Sequence, residues 1–237
     1  MELIARIALP RNWLLLGISL VAWGMLLLAG RMPILPALCG PTGHAWASVP
    51  SRVDGMMRLT PPTQWLLSWA IMLGAMMLPL LLRPLAAIGG RGAVAGFVIA
   101  YVALWMPAIA AVALASIVLA LAQPPAGALI ASGIAVAWQG SAVKARCLRH
   151  CHRAPVAGGL VEGAAFAFAC IGACWAAMLL PYLAGPAHLP AMIGVTALLI
   201  HDRRDAPGRQ RDDRLLALGA LLAGLGAVST NYPFLAS

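Results

Sequence analysis

Residues 92–121 form a stretch of thirty residues without one charged side chain. A run of this length is typical of a membrane-spanning helix, because about twenty apolar residues already cross a hydrocarbon core of roughly 30 Å. The whole chain shares this bias, with 62% hydrophobic and 10% charged residues. Soluble domains have about 45–50% hydrophobic and about 25% charged residues. The sequence therefore predicts an all-α, polytopic transmembrane helix bundle and excludes an ordinary water-soluble domain.

Seven apolar segments divide the chain, which we interpret as a single membrane domain over residues 1–237. Six of them are long enough to span a bilayer, whereas the segment 187–200 is short and contains Pro190, so it could be re-entrant. The predicted spans are residues 12–30, 64–83, 92–121, 125–143, 158–183, 187–200 and 215–231, with an outer loop at 31–63.

The basic residues predict the orientation of these spans. Thirteen of the sixteen Lys and Arg residues lie in the segments 1–11, 83–91, 144–157 and 201–214, which alternate with outer turns. Loops enriched in Lys and Arg face the cytoplasm, so we expect the N-terminus inside and the C-terminus outside a bacterial inner membrane. The net charge of +9 is thereby explained by topology, and the lipid bilayer, not nucleic acid, is the expected partner.

Two methionines of the second span share one helix face. Met72 and Met76 are four residues apart, which places their side chains on the same side of a helix. Thioethers are soft ligands that favour Cu(I). The alternative is that these flexible side chains only fill gaps in the packing.

Two cysteines follow the fourth span with the same spacing. Cys147 and Cys151 are flanked by His150, His152 and several basic residues. They could bind a metal, or they could be incidental thiols in a basic helix end that enforces topology. A zinc finger is not indicated, because the spacing matches none of its usual patterns.

A third patch lies in the fifth span. Cys170, Cys174 and Met178 follow one another at four-residue intervals on one helix face. We expect this face to meet Met72 and Met76, which would give a soft site of two thiolates and two thioethers. The alternative is that these cysteines are small buried apolar residues.

Together the three patches resemble a bacterial family of integral membrane proteins with predicted metal binding, the domain of unknown function 2182 (DUF2182). The resemblance covers about residues 64–202 and rests on three ordered blocks. The matching residues are Trp69, Met72, Ala75, Met76, Met77 and Pro79, then Trp138, Gln139, Lys144, Cys147, Leu148, Cys151 and Pro155, and finally Cys170, Gly172, Cys174, Trp175 and Met178.

The chain also departs from that family. Ala173 stands where the family tends to have a further cysteine, and His201-Asp202 stands where it tends to have Glu-Lys. Fewer ligand-type residues are present than in a typical member, so the resemblance implies metal binding with a reduced set of ligands.

These observations favour a membrane protein that binds a soft metal ion, with copper preferred, for transport or for delivery to an extracytoplasmic metalloprotein. The predicted metal ligands are Cys147, Cys151, Cys170, Cys174, Met72 and Met76. The alternative is a non-catalytic accessory or structural subunit that binds other integral membrane subunits. An enzyme is not expected, because no phosphate-binding loop, carboxylate pair or Ser-His-Asp arrangement is present.

Overall fold

The computed structural model describes residues 10–29, 62–121, 124–153, 155, 157–184, 187–204, 218–219 and 222. Within these residues the secondary structure is helical, as the composition predicts. Most of the outer loop 31–63 and of the predicted span 215–231 lies outside the described residues. The helices are α1 (Pro10–Ala29), α2 (Pro62–Ala87), α3 (Arg91–Leu121), α4 (Pro124–Gln139), α5 (Ala142–His152), α6 (Gly159–Leu183) and α7 (His188–Arg204).

Three described helices, α2, α3 and α6, are long and apolar enough to cross a membrane. The pair α4 and α5 adds a fourth candidate if the two are counted as one bent span. Helix α1 is apolar but shorter. The chain is thus a helical membrane protein, and the seven-span, N-inside arrangement stays a prediction.

Helix α6 is the centre of the described bundle, in contact with α3, α4, α5 and α7. Its closest neighbour is α3, because Gly163 lets the two backbones approach. A Cβ atom at Gly163 would lie 2.7 Å from the Cα atom of Phe97, nearer than any real side chain could sit. Small residues at such crossings are characteristic of membrane helices, whose association depends on close packing.

Helices α1 and α2 are joined by two hydrogen bonds to one carbonyl. The hydroxyl of Ser19 and the indole Nε1 of Trp23 both donate to the carbonyl oxygen of Ala75, at 3.1 and 3.0 Å. In an apolar surrounding such polar contacts fix the register of two helices, so α1 has a defined position against α2.

The predicted span 125–143 ends earlier than expected. Helix α4 stops at Gln139, and α5 begins at Ala142 after a bend of 63°. Ser141 is the reason for this new start, because its hydroxyl accepts a hydrogen bond of 3.1 Å from the backbone N–H of Lys144 and caps α5. The helix that carries Cys147 and Cys151 is therefore not a straight continuation of the fourth span.

Candidate metal centre

The bend between α4 and α5 turns Cys147 and Cys151 toward α6. The sulfur of Cys147 lies beside Gly172, so near that a Cβ atom there would be 2.7 Å from it. Gly172 is midway between Cys170 and Cys174 in the sequence. Cys151 is buried one turn further along α5. The two cysteine patches predicted from separate parts of the chain therefore face one another.

Cys170 has the most polar surroundings of the four thiols. Its sulfur lies 3.3 Å from the hydroxyl of Tyr101 on α3, and it accepts a hydrogen bond of 2.9 Å from Nη2 of Arg203 on α7. Cys174 lies one turn further along α6. Both cysteines are fully enclosed by the bundle.

Arg203 is held in place from three sides. Its Nη1 donates to the carbonyl oxygen of Leu80 at 3.4 Å, and its guanidinium lies over the ring of Phe166, 5.2 Å from the ring centroid. Its own carbonyl oxygen accepts a hydrogen bond of 3.2 Å from Arg83. A fixed positive charge thus lies against a cysteine pair, where it can compensate negative charge on sulfur.

A buried ion pair lies at the start of α5. Nζ of Lys144 is 2.6 Å from Oδ2 of Asp202, and both side chains are only 1% exposed. Gln139 completes the cluster, because its carbonyl oxygen accepts from Lys144 and its amide donates to both oxygens of Asp202, at 3.2 and 3.3 Å. The cluster ties the end of α4, the start of α5 and the end of α7 together.

The predicted methionine ligands are buried but lie elsewhere along α6. Sδ of Met72 accepts a hydrogen bond of 3.6 Å from the hydroxyl of Tyr182. Tyr182 comes eight residues after Cys174, which is about 12 Å along a helix. Met76 is also fully buried, in the same apolar core as Cys170 and Cys174. Met72 is thus shifted toward the other end of α6, and the expected meeting of Met76 with the cysteines stays a prediction.

Within the described residues, no three Cys, His, Asp or Glu side chains form a group that could hold a metal ion. The thiols instead occur as two pairs, Cys147 with Cys151 and Cys170 with Cys174. Pairs of thiols without carboxylate or further imidazole ligands suit a soft monovalent ion better than zinc, which takes four ligands in structural sites.

A family described as copper chaperone, PpoB2, matches residues 66–228, more than two thirds of the chain. The chain belongs to this family. The matched segment of the copper chaperone family contains all six predicted ligands, the four cysteines together with Met72 and Met76. No curated protein and no solved structure matches the chain.

For this member of the copper chaperone family, the sequence analysis assigned Arg203 to topology alone, yet it contacts Cys170. Lys144 belonged to the second block of the DUF2182 resemblance, but its burial beside Asp202 was not predicted. A signal was present for Lys144, because the acid Asp202 lies just beyond the predicted span 187–200. Acids at membrane depth usually have a partner.

Proposed function

We propose that this protein is a copper chaperone of the bacterial inner membrane, which holds Cu(I) as cargo between α5 and α6. The observation that carries the proposal is the convergence of Cys147 and Cys151 on the stretch of α6 that bears Cys170 and Cys174. Soft thiolate ligands suit Cu(I), zinc and iron–sulfur clusters, and the family match favours copper among these. The resemblance of the three motifs to DUF2182, which lies in the same segment, also implies metal binding.

The charge balance of the site favours Cu(I) bound by Cys170 and Cys174. Two thiolates with one monovalent copper ion carry a net negative charge, which is costly inside an apolar bundle. The guanidinium of Arg203, 2.9 Å from Cys170, would neutralise it. Arg203 keeps its charge at any physiological pH, so this compensation does not depend on a proton.

We further propose that the four cysteines pass the ion from one pair to the other. Cys147 and Cys151 lie on the short helix α5, in the segment 144–157 that the basic residues predict to be cytoplasmic, so they would receive copper first. Met72 and Met76, further along the bundle, would accept it next. This direction leads toward an extracytoplasmic metalloprotein as the final recipient, in the predicted seven-span, N-inside orientation.

The experiment that tests the proposal is a Cu(I) titration of the full chain, purified in detergent under reducing conditions, against a chromogenic Cu(I) chelator. We expect Cys170→Ser combined with Cys174→Ser to abolish the tightest binding, and Cys147→Ser combined with Cys151→Ser to weaken the total uptake. Cys39→Ser is the matched control, since this fifth cysteine lies outside the described residues. Tight copper binding that survives all four changes would contradict the proposal.

The alternative function, an accessory subunit without chemistry of its own, makes the opposite prediction. Such a subunit would bind no Cu(I) in this titration and would copurify with a stable integral membrane partner. We propose no enzymatic activity, because the sequence has no phosphate-binding loop, carboxylate pair or Ser-His-Asp arrangement. The acid Glu162 accepts hydrogen bonds from the backbone N–H groups of Ala157 and Gly158 ahead of α6.

A further inference from the structure

His188, the first residue of α7, has one ring nitrogen without a hydrogen-bond partner among the described residues. Its Nδ1 lies 2.7 Å from the carbonyl oxygen of Pro181. A carbonyl only accepts, so Nδ1 carries the proton and the lone pair of the neutral ring is on Nε2. Nε2 is buried and has no hydrogen-bond partner among the described residues, in a side chain that is 7% exposed. A buried acceptor of this kind calls for a ligand.

The surroundings of His188 are rich in thioethers. The ring of Tyr182 lies against the imidazole, with 6.4 Å between the centroids, and its hydroxyl donates to Sδ of Met72. Met192 follows His188 by four residues, so both occupy one face of α7, and Met192 is fully buried. Through Tyr182, the imidazole of His188 and the thioether of Met72 lie at one end of the bundle, where α7 packs against both α2 and α6. Met192 is one turn away on α7.

We infer that Nε2 of His188, with the thioethers of Met72 and Met192, forms a second Cu(I) site, distinct from the four cysteines. Imidazole and thioether are both ligands of copper. Metal-bound histidines almost always donate their other ring N–H to a carboxylate or a carbonyl, as His188 does to Pro181. The inference rests on the proposed function, since it assumes that copper is the cargo.

The position of this site gives it a different task from that of the cysteines. Pro181 comes eleven residues after Cys170, which is about 16 Å along α6, and in the predicted orientation this end faces outward. All three ligands are neutral, so they hold Cu(I) less tightly than thiolates do. A weak site near the outer surface suits release of the ion to an extracytoplasmic acceptor.

The test uses the full chain with all five cysteines changed to serine, purified in detergent and titrated with Cu(I) kept reduced by ascorbate. We expect one equivalent of Cu(I) to bind, with nitrogen and sulfur neighbours in its X-ray absorption spectrum. Adding His188→Gln should weaken this binding at least about tenfold, and Met192→Leu should remove part of the sulfur signal. His150→Gln is the matched control, because His150 is exposed on α5.

A second measurement covers the case in which the cysteine-free chain does not fold. With all cysteines present, His188→Gln should lower the copper content by one equivalent relative to the wild type. An unchanged content and spectrum would overturn the second site. A wild type that binds copper while the folded cysteine-free chain binds none would overturn it as well and leave the proposed function standing. A wild type that binds no Cu(I) would overturn both.

Discussion

Nη2 of Arg203 lies 2.9 Å from the sulfur of Cys170, so the last turn of α7 directs a permanent positive charge at a buried thiol of α6. The side chain is fixed by the carbonyl of Leu80 and the ring of Phe166. A guanidinium that is already positioned needs no rearrangement when negative charge develops on sulfur. This contact would connect the proposed copper binding to Arg203, which is not itself a metal ligand.

Replacing Arg203 tests that link. We expect Arg203→Gln to weaken Cu(I) binding about tenfold or more, because a hydrogen bond to a charged group contributes about 1.5–3 kcal/mol. Arg203→Lys should keep the charge but lose the second contact, and thus give an intermediate affinity. The measurement is chelator competition, with Arg149→Gln, an exposed residue of α5, as the control. Equal affinities for all three variants would rule out charge compensation.

The buried pair of Lys144 and Asp202 predicts a pattern of coupled stabilities. Lys144→Met or Asp202→Leu alone should lower the free energy of unfolding by about 3–5 kcal/mol, since each leaves an unpaired buried charge. The double variant should lose less than either single one. Chemical unfolding in detergent micelles measures all three. Arg146→Met, an exposed change on the same helix, should have little effect, and additive losses would show that the two charges do not interact.

The close approach of α3 and α6 predicts that Gly163→Ala is destabilising. The new Cβ atom would lie 2.7 Å from the Cα atom of Phe97, and backbone atoms cannot move aside as a side chain can. We expect a loss of about 1–3 kcal/mol. Gly133→Ala on α4 is the control, because nothing lies within 4 Å of its Cβ position, so helix propensity alone should stabilise it by up to about 1 kcal/mol. Thermal unfolding that ranks the two variants equally would contradict the close approach.

The substitution Gly172→Ala should lower the affinity for Cu(I) without lowering the stability of the fold. The added Cβ atom would meet the sulfur of Cys147 at 2.7 Å, and that sulfur ends a side chain that can rotate away. We therefore expect little change in melting temperature but a severalfold loss of Cu(I) affinity, because the thiol is displaced from α6. Gly24→Ala, with free space at its Cβ position, serves as the control. Unchanged copper binding would show that Cys147 acts independently of α6.

The helices could be predicted from the sequence because each apolar run carries its own signal. Helix α3 begins at Arg91 and ends at Leu121, within one residue of the uncharged stretch in the sequence. The break after Gln139 was not predicted, although glycine and serine at 140 and 141 supply a local signal that ends one helix and caps the next. Contacts of Gln139 and Lys144 with Asp202 on α7 also hold this break.

The site could be predicted only in part. A spacing of four residues shows which side chains share one face of a helix, but it does not show which neighbouring helix packs against that face. The face of Cys170 and Cys174 was foreseen, whereas its neighbours Tyr101 and Arg203 depend on how three other helices pack. Met72 was expected beside the cysteines and lies at Tyr182 instead. The position of α2 along the axis of α6 depends on tertiary contacts, which the spacing of residues within α2 does not encode. Arg203 was also indistinguishable in sequence from the basic residues around it.

The bend that follows Gln139 has a consequence for the lipid around the protein. Helix α4 has 16 residues and so a length of about 24 Å, several ångströms less than the hydrocarbon thickness. In the predicted topology, in which α4 crosses the membrane, we expect the bilayer to thin beside it. A cytoplasmic copper donor would then have a shorter apolar barrier to cross before meeting Cys147.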